Sequence, residues 1–347
     1  MRIIYALSGE GMGHATRSKA VIEELQKNHD IVIACGGRAF KYMAGNFDKV
    51  VPIQKLGISY RDNRVSTFGT FAYNLGNLTK HYKSFKRMNK LIKKFRPQLI
   101  INDFEYQTNY LAFIHKIPNM IIDNEQIITK ADVKFPARFW WDYFKSWLAI
   151  KLISPKPDFR FITSFFFPRL KVKNAAYCPP IIRKEIRKAK PGKEDYFLIY
   201  QTSDTNKRLL KVLRQFNEKF VVYGFNSDNK ESNIHFRKFD EKQFVKDLAG
   251  CKGIVINGNF CVMAEALHLK KPILSIPVEK QFEQVLNAIY LQRLGYGMNA
   301  RTAGYDVIKK FISNIPVLEK GLQHYQQDNP DLFFMQLEQK IEQMALK

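Results

Sequence analysis

The sequence lacks the long apolar runs and cysteine pairs that mark several common classes of protein. No stretch approaches the roughly 20 consecutive apolar residues that a membrane-spanning helix needs. The four cysteines lie far apart without Cys-x-x-Cys spacing, so we expect reduced, mostly buried thiols in a cytoplasmic protein. The first residues run straight into a glycine-rich segment, without the apolar segment and cleavage site of a signal peptide.

Acidic residues are also scarce. Lys and Arg number 56 against 32 Asp and Glu, which gives a formal net charge of +24 and favours anionic partners. About half of this excess lies between Lys130 and Lys193, which hold 16 basic and 4 acidic side chains. No zinc-finger or RRM pattern accompanies it, so nucleic acid is not an expected partner. Neither Asp-x-Asp nor a Cys/His cluster occurs, so we expect neither a metal nor a cofactor.

Short β-branched runs alternate with longer amphipathic segments, which is typical of parallel sheets built from βαβ units. A charged, breaker-rich linker at 181–195 separates two such alternations, so we expect Rossmann-like domains at 1–180 and 196–315. A helical tail follows at 316–347, and one long helix is predicted over Phe71–Phe95. Strands are predicted at Arg2–Leu7, Asp30–Cys35, Lys49–Ile53, Leu99–Asn102, Met120–Ile122, Arg160–Thr163, Tyr196–Tyr200, Phe220–Tyr223, Ile234–Phe236, Gly253–Ile256 and Pro272–Ile276.

A glycine loop follows the first predicted strand. Gly9, Gly11 and Gly13 allow a sharp turn and a close approach to a ligand at a helix N-terminus, and His14 comes directly after them. The spacing is Gly-x-Gly-x-Gly, and Cys35 stands where a dinucleotide site would have an acidic residue for the ribose. The pattern therefore disfavours a dinucleotide oxidoreductase.

Carboxylates follow two more strands of the first half. Asp103 and Glu105 come after one strand, and Asp123 comes after the next. The carboxyl ends of parallel strands share one edge, so these residues should converge with His14. A carboxylate beside an imidazole can remove a proton from a sugar hydroxyl. The alternative is that the carboxylates only cap the helices that follow.

The second half carries a donor-site pattern. Ser203 lies in a hydroxyl-rich turn before a helix, a suitable phosphate contact. Gly258 and Asn259 follow another strand, and Glu265 lies two turns along the next helix. Helix N-terminal amides can hold a diphosphate, while one inward carboxylate can accept hydrogen bonds from both ribose hydroxyls. Taken alone, Glu265 could equally be a solvated or capping glutamate.

These residues belong to a longer block that resembles the donor-binding region of GT-B glycosyltransferases. The resemblance is to bacterial and archaeal proteins similar to the peptidoglycan enzyme that adds N-acetylglucosamine to a lipid-linked muramyl peptide. It implies an α/β fold of two Rossmann-like domains facing across a cleft, with a C-terminal helix crossing back to the first domain. The matching segments are Ser8–Arg17, Asn257-Gly258-Asn259, Glu265-Ala266-Leu267, Lys271-Pro272, Ile276-Pro277, Gln281–Gln284 and Asn287-Ala288.

The resemblance also implies roles for individual residues. Glu265 would hold the ribose, and Ser203 with the backbone around Gly258 and Asn259 would face the diphosphate. Phe239 and Asp240 would contact the base, and Gln281 and Gln284 would contact the donor sugar. Catalysis would use His14 or a nearby carboxylate, Asp103 or Glu105. The sequence departs from the pattern at Asn257, where many relatives have a histidine, and at Glu283, which replaces a frequent glutamine.

The implied activity is metal-independent, inverting transfer from a nucleotide-sugar, with UDP as the expected nucleotide, to a glycan, lipid-linked or cell-envelope acceptor. The segment 134–147 holds all three tryptophans among basic residues, and it predicts docking on an anionic surface at the inner face of the membrane. The alternatives are a sugar-nucleotide 2-epimerase of the same fold, a non-catalytic binding protein of this fold, and a nucleic-acid-binding basic protein.

Overall fold

The computed structural model describes residues 1–9, 11–61, 64–202, 206–327 and 329–345. The chain divides into two compact units. Unit 1 comprises Met1–Ser59, Ser66–Ile181 and Asp328–Lys347, and unit 2 comprises Tyr60–Val65 and Ile182–Gln327.

Strands and helices alternate along most of the chain. The strands are β1 (Arg2–Leu7), β2 (Asp30–Cys35), β3 (Val50–Pro52), β4 (Tyr60–Arg61), β5 (Arg64–Val65), β6 (Leu99–Asp103), β7 (Asn119–Asp123), β8 (Phe159–Thr163), β9 (Ala175–Cys178), β10 (Phe197–Tyr200), β11 (Phe220–Tyr223), β12 (Lys230–Glu231), β13 (Ile234–Arg237), β14 (Ile254–Ile256), β15 (Ile273–Ser275) and β16 (Gly297–Asn299). The α-helices are α1 (Met12–Leu25), α2 (Gly37–Ala44), α3 (Thr67–Gly76), α4 (Leu78–Phe95), α5 (Tyr106–His115), α6 (Ile127–Lys130), α7 (Trp140–Ile153), α8 (Lys184–Lys188), α9 (Lys207–Leu213), α10 (Glu241–Gly250), α11 (Phe260–His268), α12 (Phe282–Arg293), α13 (Tyr305–Ser313), α14 (Ile315–Gln323) and α15 (Pro330–Ala345).

The sheet of unit 1 has seven strands in the order β3-β2-β1-β6-β7-β8-β9, and every pairing in it is parallel. Alternate residues of β1 enter two separate core layers: Ile3 and Tyr5 pack in one, and Ile4 and Ala6 pack in the other. Burial on both faces explains why these strands are almost continuously apolar. The carboxyl ends of β1, β6 and β7 consequently meet at one edge of the sheet.

The sheet of unit 2 has the order β12-β13-β11-β10-β14-β15-β16. Its strands are parallel apart from β12, which pairs antiparallel with β13 at the edge. Two parallel-rich α/β sheets of this kind confirm the predicted fold class of two Rossmann-like domains. The carboxyl ends of β10, β14 and β15 share one edge of unit 2.

Most predicted strands are observed within two residues of the predicted bounds, but several connecting elements differ. The predicted helix Phe71–Phe95 is divided into α3 and α4, with the break at Asn77. The predicted linker contains the short helix α8, and the side chains of Arg183 and Ile186 are buried in unit 2. Among the described residues, no helix is both long enough and apolar enough to cross a membrane.

The C-terminal helix α15 returns to unit 1, as predicted. Phe333, Leu337 and Ile341 recur at helical spacing and are buried in the core layer that also holds Tyr5. His29 binds Glu338 of this helix, with the imidazole Nε2 2.8 Å from the carboxylate. The tail is nevertheless shared between the units, because α14 lies in unit 2.

We expect the packing of α15 to stabilise unit 1. Leu337 is 0% exposed, so Leu337→Ala should lower the free energy of unfolding by about 2–5 kcal/mol. Leu332 is on the same helix but 50% exposed, so Leu332→Ala should change it by less than about 0.5 kcal/mol. Urea titration of both variants followed by circular dichroism checks this, and equal losses would contradict the packing described.

Candidate active site

Polar side chains converge where β1 and β6 end. Parallel pairing places Leu7 beside Asp103, and His14 lies in the first turn of the helix that follows β1. The imidazole Nδ1 of His14 is 2.7 Å from Oδ1 of Asp103. The structure therefore brings these two predicted residues together although 89 positions separate them in the sequence.

Asp103 is fully buried and strongly held. Arg17 donates to it from Nε at 3.0 Å and from Nη2 at 2.6 Å, and the hydroxyl of Ser18 donates at 3.0 Å. Burial alone would raise the pKa of Asp103, but the charges of Arg17 and His14 outweigh burial and lower the pKa to about 2. Asp103 is therefore ionised at neutral pH, and its oxygens are occupied by donors that fix its position.

His14 is mostly buried, with 16% of its side chain exposed. Burial lowers its pKa, but the negative charges of Asp103 and Glu125 outweigh burial and raise the pKa to about 9. The ring stacks in parallel on Phe104 at 6.1 Å, and Phe104 has a left-handed backbone (φ 55°). The imidazole is thus oriented by Asp103 on one side and by an aromatic face on the other.

Arg17 and two residues after β7 complete the cluster. Arg17 Nη1 donates to Asn124 Oδ1 at 2.6 Å, and Arg17 Nη2 lies 3.9 Å from Glu125 Oε2. Glu125 Oε1 lies 3.6 Å from Nε2 of His14. Arg17, Asn124 and Glu125 are not among the site residues predicted from the sequence, although Arg17 is three residues after His14 and so on the same helix face.

The cluster could offer ligands to a cation, since ligand atoms of His14, Asp103 and Glu125 lie within 4.8 Å of one another. Arg17 already supplies a positive charge there and is bonded to Asp103. A divalent ion would have to displace this guanidinium and the proton of His14. The arrangement is therefore better suited to chemistry that uses fixed side-chain charges.

Glu105 and Asp123, the other two carboxylates predicted at strand ends of unit 1, lie in turns that follow their own strands. Glu105 caps α5, accepting from the backbone N–H of Gln107 at 2.9 Å and of Thr108 at 2.8 Å. Burial raises the pKa of Glu105. Asp123 is fully buried, and its Oδ1 accepts from the N–H of Gln126 at 2.9 Å. Both carboxylates are engaged with the backbone that follows their own strand.

The glycines have different structural roles. A Cβ atom on Gly9 would lie 2.5 Å from the carbonyl oxygen of Gly36, so only glycine fits this close approach. Gly11 precedes α1 with a φ of 80°, whereas Gly13 lies inside the first turn of the helix. The glycine loop predicted from the sequence is therefore shorter than its three glycines suggest.

In unit 2, helix α11 begins directly after β14. Gly258 has a φ of 90°, and a Cβ atom there would lie 2.8 Å from the carbonyl oxygen of Gln284. Asn259 caps the helix by accepting from the N–H of Val262 at 3.2 Å, and Asn287 donates to the carbonyl of Gly258 at 3.2 Å. The sequence around Gly258 therefore holds the N-terminus of α11 in a defined position.

Glu265 is buried on α11 and paired with Arg183. Arg183 donates side-on, from Nε to Oε1 at 2.6 Å and from Nη2 to Oε2 at 2.9 Å, and its Nη1 donates to Glu241 at 2.9 Å. Burial raises the pKa of Glu265, and the charge of Arg183 opposes that rise. Arg183 lies in the predicted linker, because its charged and breaker-rich neighbourhood gives no local sign of burial.

The remaining predicted donor residues surround the same sheet edge or lie beside it. Gln284 is buried and accepts from the N–H of Val278 at 2.9 Å, while Oε1 of Gln281 is buried without a hydrogen-bond partner among the described residues. Phe239 is 43% exposed, and Asp240 caps α10. Ser203 lies outside the described residues.

Comparisons with known proteins agree with this architecture. Residues 1–316 match the family model of glycosyl transferase family 1. An uncharacterized glycosyltransferase of Methanosarcina mazei is 23% identical over 333 residues, which cover 86% of this chain and 85% of the relative. A second one from the same organism is 25% identical over 334 residues, again 86% and 85% of the two chains.

Solved structures show the same fold. The glycotransferase of kitacinnamycin superposes with a TM-score of 0.69 at 16% identity, covering 99% of this chain and 98% of that one. The calicheamicin glycosyltransferase gives a TM-score of 0.66 at 12% identity, with 100% and 98% covered. MurG of Acinetobacter baumannii gives 0.59 at 14% identity, with 97% and 99% covered. The chain therefore belongs to glycosyl transferase family 1 and is a glycosyltransferase of the GT-B type.

Proposed function

We propose that this glycosyltransferase moves a sugar from a nucleotide-sugar, most simply a UDP-sugar, onto a hydroxyl of a lipid-linked acceptor. The reaction is metal-independent and inverts the anomeric centre. The observation that carries the proposal is the buried Asp103–His14 pair, which provides an oriented imidazole for taking a proton from an acceptor hydroxyl.

The donor half of the proposal rests on unit 2. The N-terminus of α11 presents backbone N–H groups and the positive end of the helix dipole, which favour the diphosphate. A carboxylate has about four lone-pair positions, and Arg183 takes two of those on Glu265. The other two are the acceptors that the vicinal hydroxyls of a ribose need. Gln281, whose amide oxygen lacks a partner among the described residues, suits a hydroxyl of the donor sugar.

The acceptor half rests on unit 1. Asp103 is saturated with donors and has a pKa of about 2, so it orients His14 and does not itself take the proton. His14 becomes a base when Nε2 loses its proton, and Asp103 then stabilises the imidazolium that forms in the transition state. A base without an attacking carboxylate supports a single displacement, which inverts the anomeric carbon.

Fixed positive charges replace a metal in this proposal. Arg17 lies in the proposed catalytic cluster, and the N-terminus of α11 lies in the proposed donor site. Each can stabilise negative charge that develops near it during transfer. The names of two similar structures point the same way for the donor. One is a UDP-glucosyltransferase from Polygonum tinctorium, and the other is a Phytolacca americana enzyme complexed with UDP-2-fluoroglucose.

The lipid-linked acceptor is supported by the surface of α7. Trp140 and Trp141 are 56% and 59% exposed, and the only buried side chain of this helix is that of Ile150. Lys145 and Lys151 lie 5.9 Å and 5.3 Å from the rings of Trp141 and Trp147. Exposed indoles beside lysines are typical of a membrane interface with anionic lipid.

The donor site gives the first functional prediction. Thermal stabilisation across UDP-, GDP- and dTDP-sugars identifies the nucleotide, which is then titrated by calorimetry. Glu265→Gln keeps the size of the side chain and removes its charge, so it should weaken nucleotide binding by about 2–3 kcal/mol. Glu241→Gln is the matched control, because it also removes a negative charge from Arg183 but should bind as the wild type does. Equal affinities for Glu265→Gln and the wild type would contradict the ribose assignment.

The second functional prediction concerns pH. The folded-state pKa of His14 is about 9, so kcat/KM should rise from neutral pH and level off above about 9, where the imidazole is neutral. Asp103→Asn removes the larger of the two negative charges that raise this pKa, so the rise should move to lower pH. His14→Gln should lower turnover roughly 10²–10⁴-fold. His115→Gln, a histidine of α5 bound to Asn89, should leave the profile unchanged.

All assays of this pH series are run in EDTA. Turnover that stops in EDTA and returns with Mg²⁺ or Mn²⁺ would contradict metal independence. A flat pH profile, or near-normal turnover of His14→Gln, would place the base elsewhere.

The membrane surface gives the third functional prediction. Co-sedimentation with vesicles should increase with anionic lipid and decrease with added salt, because the lysine attraction is screened. Trp140→Ala with Trp141→Ala should abolish most of this binding. Phe68→Ala with Phe71→Ala is the matched control on α3, where these rings are 82% and 65% exposed. Wild-type binding by the tryptophan variant would exclude α7 as the docking surface.

A further inference from the structure

Arg160 is a buried cation in unit 1 that the proposed reaction does not use. It lies on β8, and only 6% of it is exposed. Its Nε atom is buried without a hydrogen-bond partner among the described residues. A buried guanidinium with unmet donors is costly, so this position calls for an acceptor.

No carboxylate of the described residues is bonded to this Nε atom, although Oδ2 of Asp123 is also buried without a partner there. Asp158 and Asp123 are the acids whose charges act on Arg160. Oδ2 of Asp158 accepts from the backbone N–H of Asn119 at 2.8 Å, and Oδ1 of Asp123 accepts from the N–H of Gln126 at 2.9 Å. Burial and the neighbouring charge of Glu125 also raise the pKa of Asp123, which disfavours its negative form.

Two lysines bring more positive charge to the same place. Lys130, at the end of α6, is half-buried, and the charges of Arg160 and of Lys151, which lies exposed on α7, both act on it. Burial and the charges of Arg160 and Lys151 lower the pKa of Lys130 to about 8. Three like charges at close range repel one another unless an anion lies among them.

Arg169 and Lys171 are two further cationic side chains, and they line a surface pocket close to Lys130. Lys171 donates its backbone N–H to the carbonyl of Lys130 at 2.8 Å, and Asp132 donates to the carbonyl of Arg169 at 2.8 Å. A pocket of about 310 Å³ is lined by Asp132, Arg169 and Lys171. This surface, in which Nζ of Lys171 lies 3.8 Å from Oδ1 of Asp132, offers two cations against one carboxylate next to Lys130.

We propose that Arg160, Lys130 and Lys151 form a binding site for a phosphate group. The group is carried either by a phosphorylated small molecule or by a phospholipid headgroup. The site is separate from the Asp103–His14 pair and from the α11 donor site, and it does not rest on the proposed glycosyl transfer.

The chemistry of phosphate matches the unmet donors. A phosphate presents several acceptor oxygens around one centre, which a guanidinium can bind as a fork while two ammonium groups bind as point charges. It would also supply the negative charge that the cluster lacks. Removal of the buried guanidinium should therefore abolish phosphate binding without destabilising the phosphate-free protein.

Thermal unfolding of the full chain tests the site. Inorganic phosphate and pyrophosphate are compared with chloride at matched ionic strength, and they should raise Tm by about 2–4 °C through selective binding to the folded state. Arg160→Met should keep the Tm of the wild type in chloride and lose most of this rise. Lys130→Met with Lys151→Met should also lose it, whereas Arg160→Lys should keep part of it.

Lys188→Met with Lys190→Met, two exposed lysines of unit 2, is the charge-matched control and should keep the full rise. The variants also separate this site from the donor site, because phosphate bound near α11 would still stabilise Arg160→Met. A phosphate effect equal to that of chloride, together with equal vesicle binding by wild type and Arg160→Met, would overturn the proposal. So would a full phosphate effect in both Arg160→Met and the lysine variant.

Vesicles distinguish the two sources of the phosphate. Wild type and Arg160→Met, which leaves the lysines of the α7 surface in place, are sedimented with phosphatidylcholine vesicles, with and without phosphatidic acid. Selective loss of phosphatidic acid binding in the variant identifies a lipid headgroup. Equal vesicle binding by both proteins, together with a Tm rise that only the wild type shows, identifies a soluble phosphate compound.

Discussion

The first unit is organised around the ionised carboxylate of Asp103, which is completely buried. A buried charge is tolerated only when it is paired and hydrogen-bonded, and four donor contacts from His14, Arg17 and Ser18 meet that demand. All three donors lie on α1, while Asp103 ends β6. The position of α1 relative to β6 is therefore fixed by electrostatics as well as by packing, and the orientation of the His14 ring follows from it.

The second unit also has a buried carboxylate–guanidinium pair, but its carboxylate has fewer hydrogen-bond donors and a pKa shifted in the opposite direction. Asp103 accepts from three side chains, and its pKa is lowered. Among the described residues, the side chain of Glu265 accepts only from Arg183, and burial raises its pKa. Asp103 thus has little acceptor capacity left and serves to position its neighbours. Glu265 keeps lone pairs, and Arg183 holds its carboxylate in one orientation, which is why we propose it as the ribose-binding residue.

The sequence could predict the parts of these sites that follow from strand periodicity. Residues directly after parallel strands must meet at one edge, so the convergence of His14 with Asp103 needed no contact information. Arg183 and Glu125 could not be assigned in this way. Arg183 sits in a charged run that resembles an open linker, and its burial depends on two glutamates, Glu241 and Glu265, that are distant in sequence.

The basic residues behind the net charge of +24 do not all have the same surroundings. Between Lys130 and Lys193, Arg183 is buried against two carboxylates and contributes nothing to the surface field. Arg160 is equally buried, yet it has no carboxylate bonded to it in the described part of the chain. The same residue type in the same basic segment therefore has opposite consequences. Arg183 orients Glu265, the residue that we propose binds the ribose, whereas Arg160 has an unpaired Nε donor that a proposed anionic ligand would satisfy.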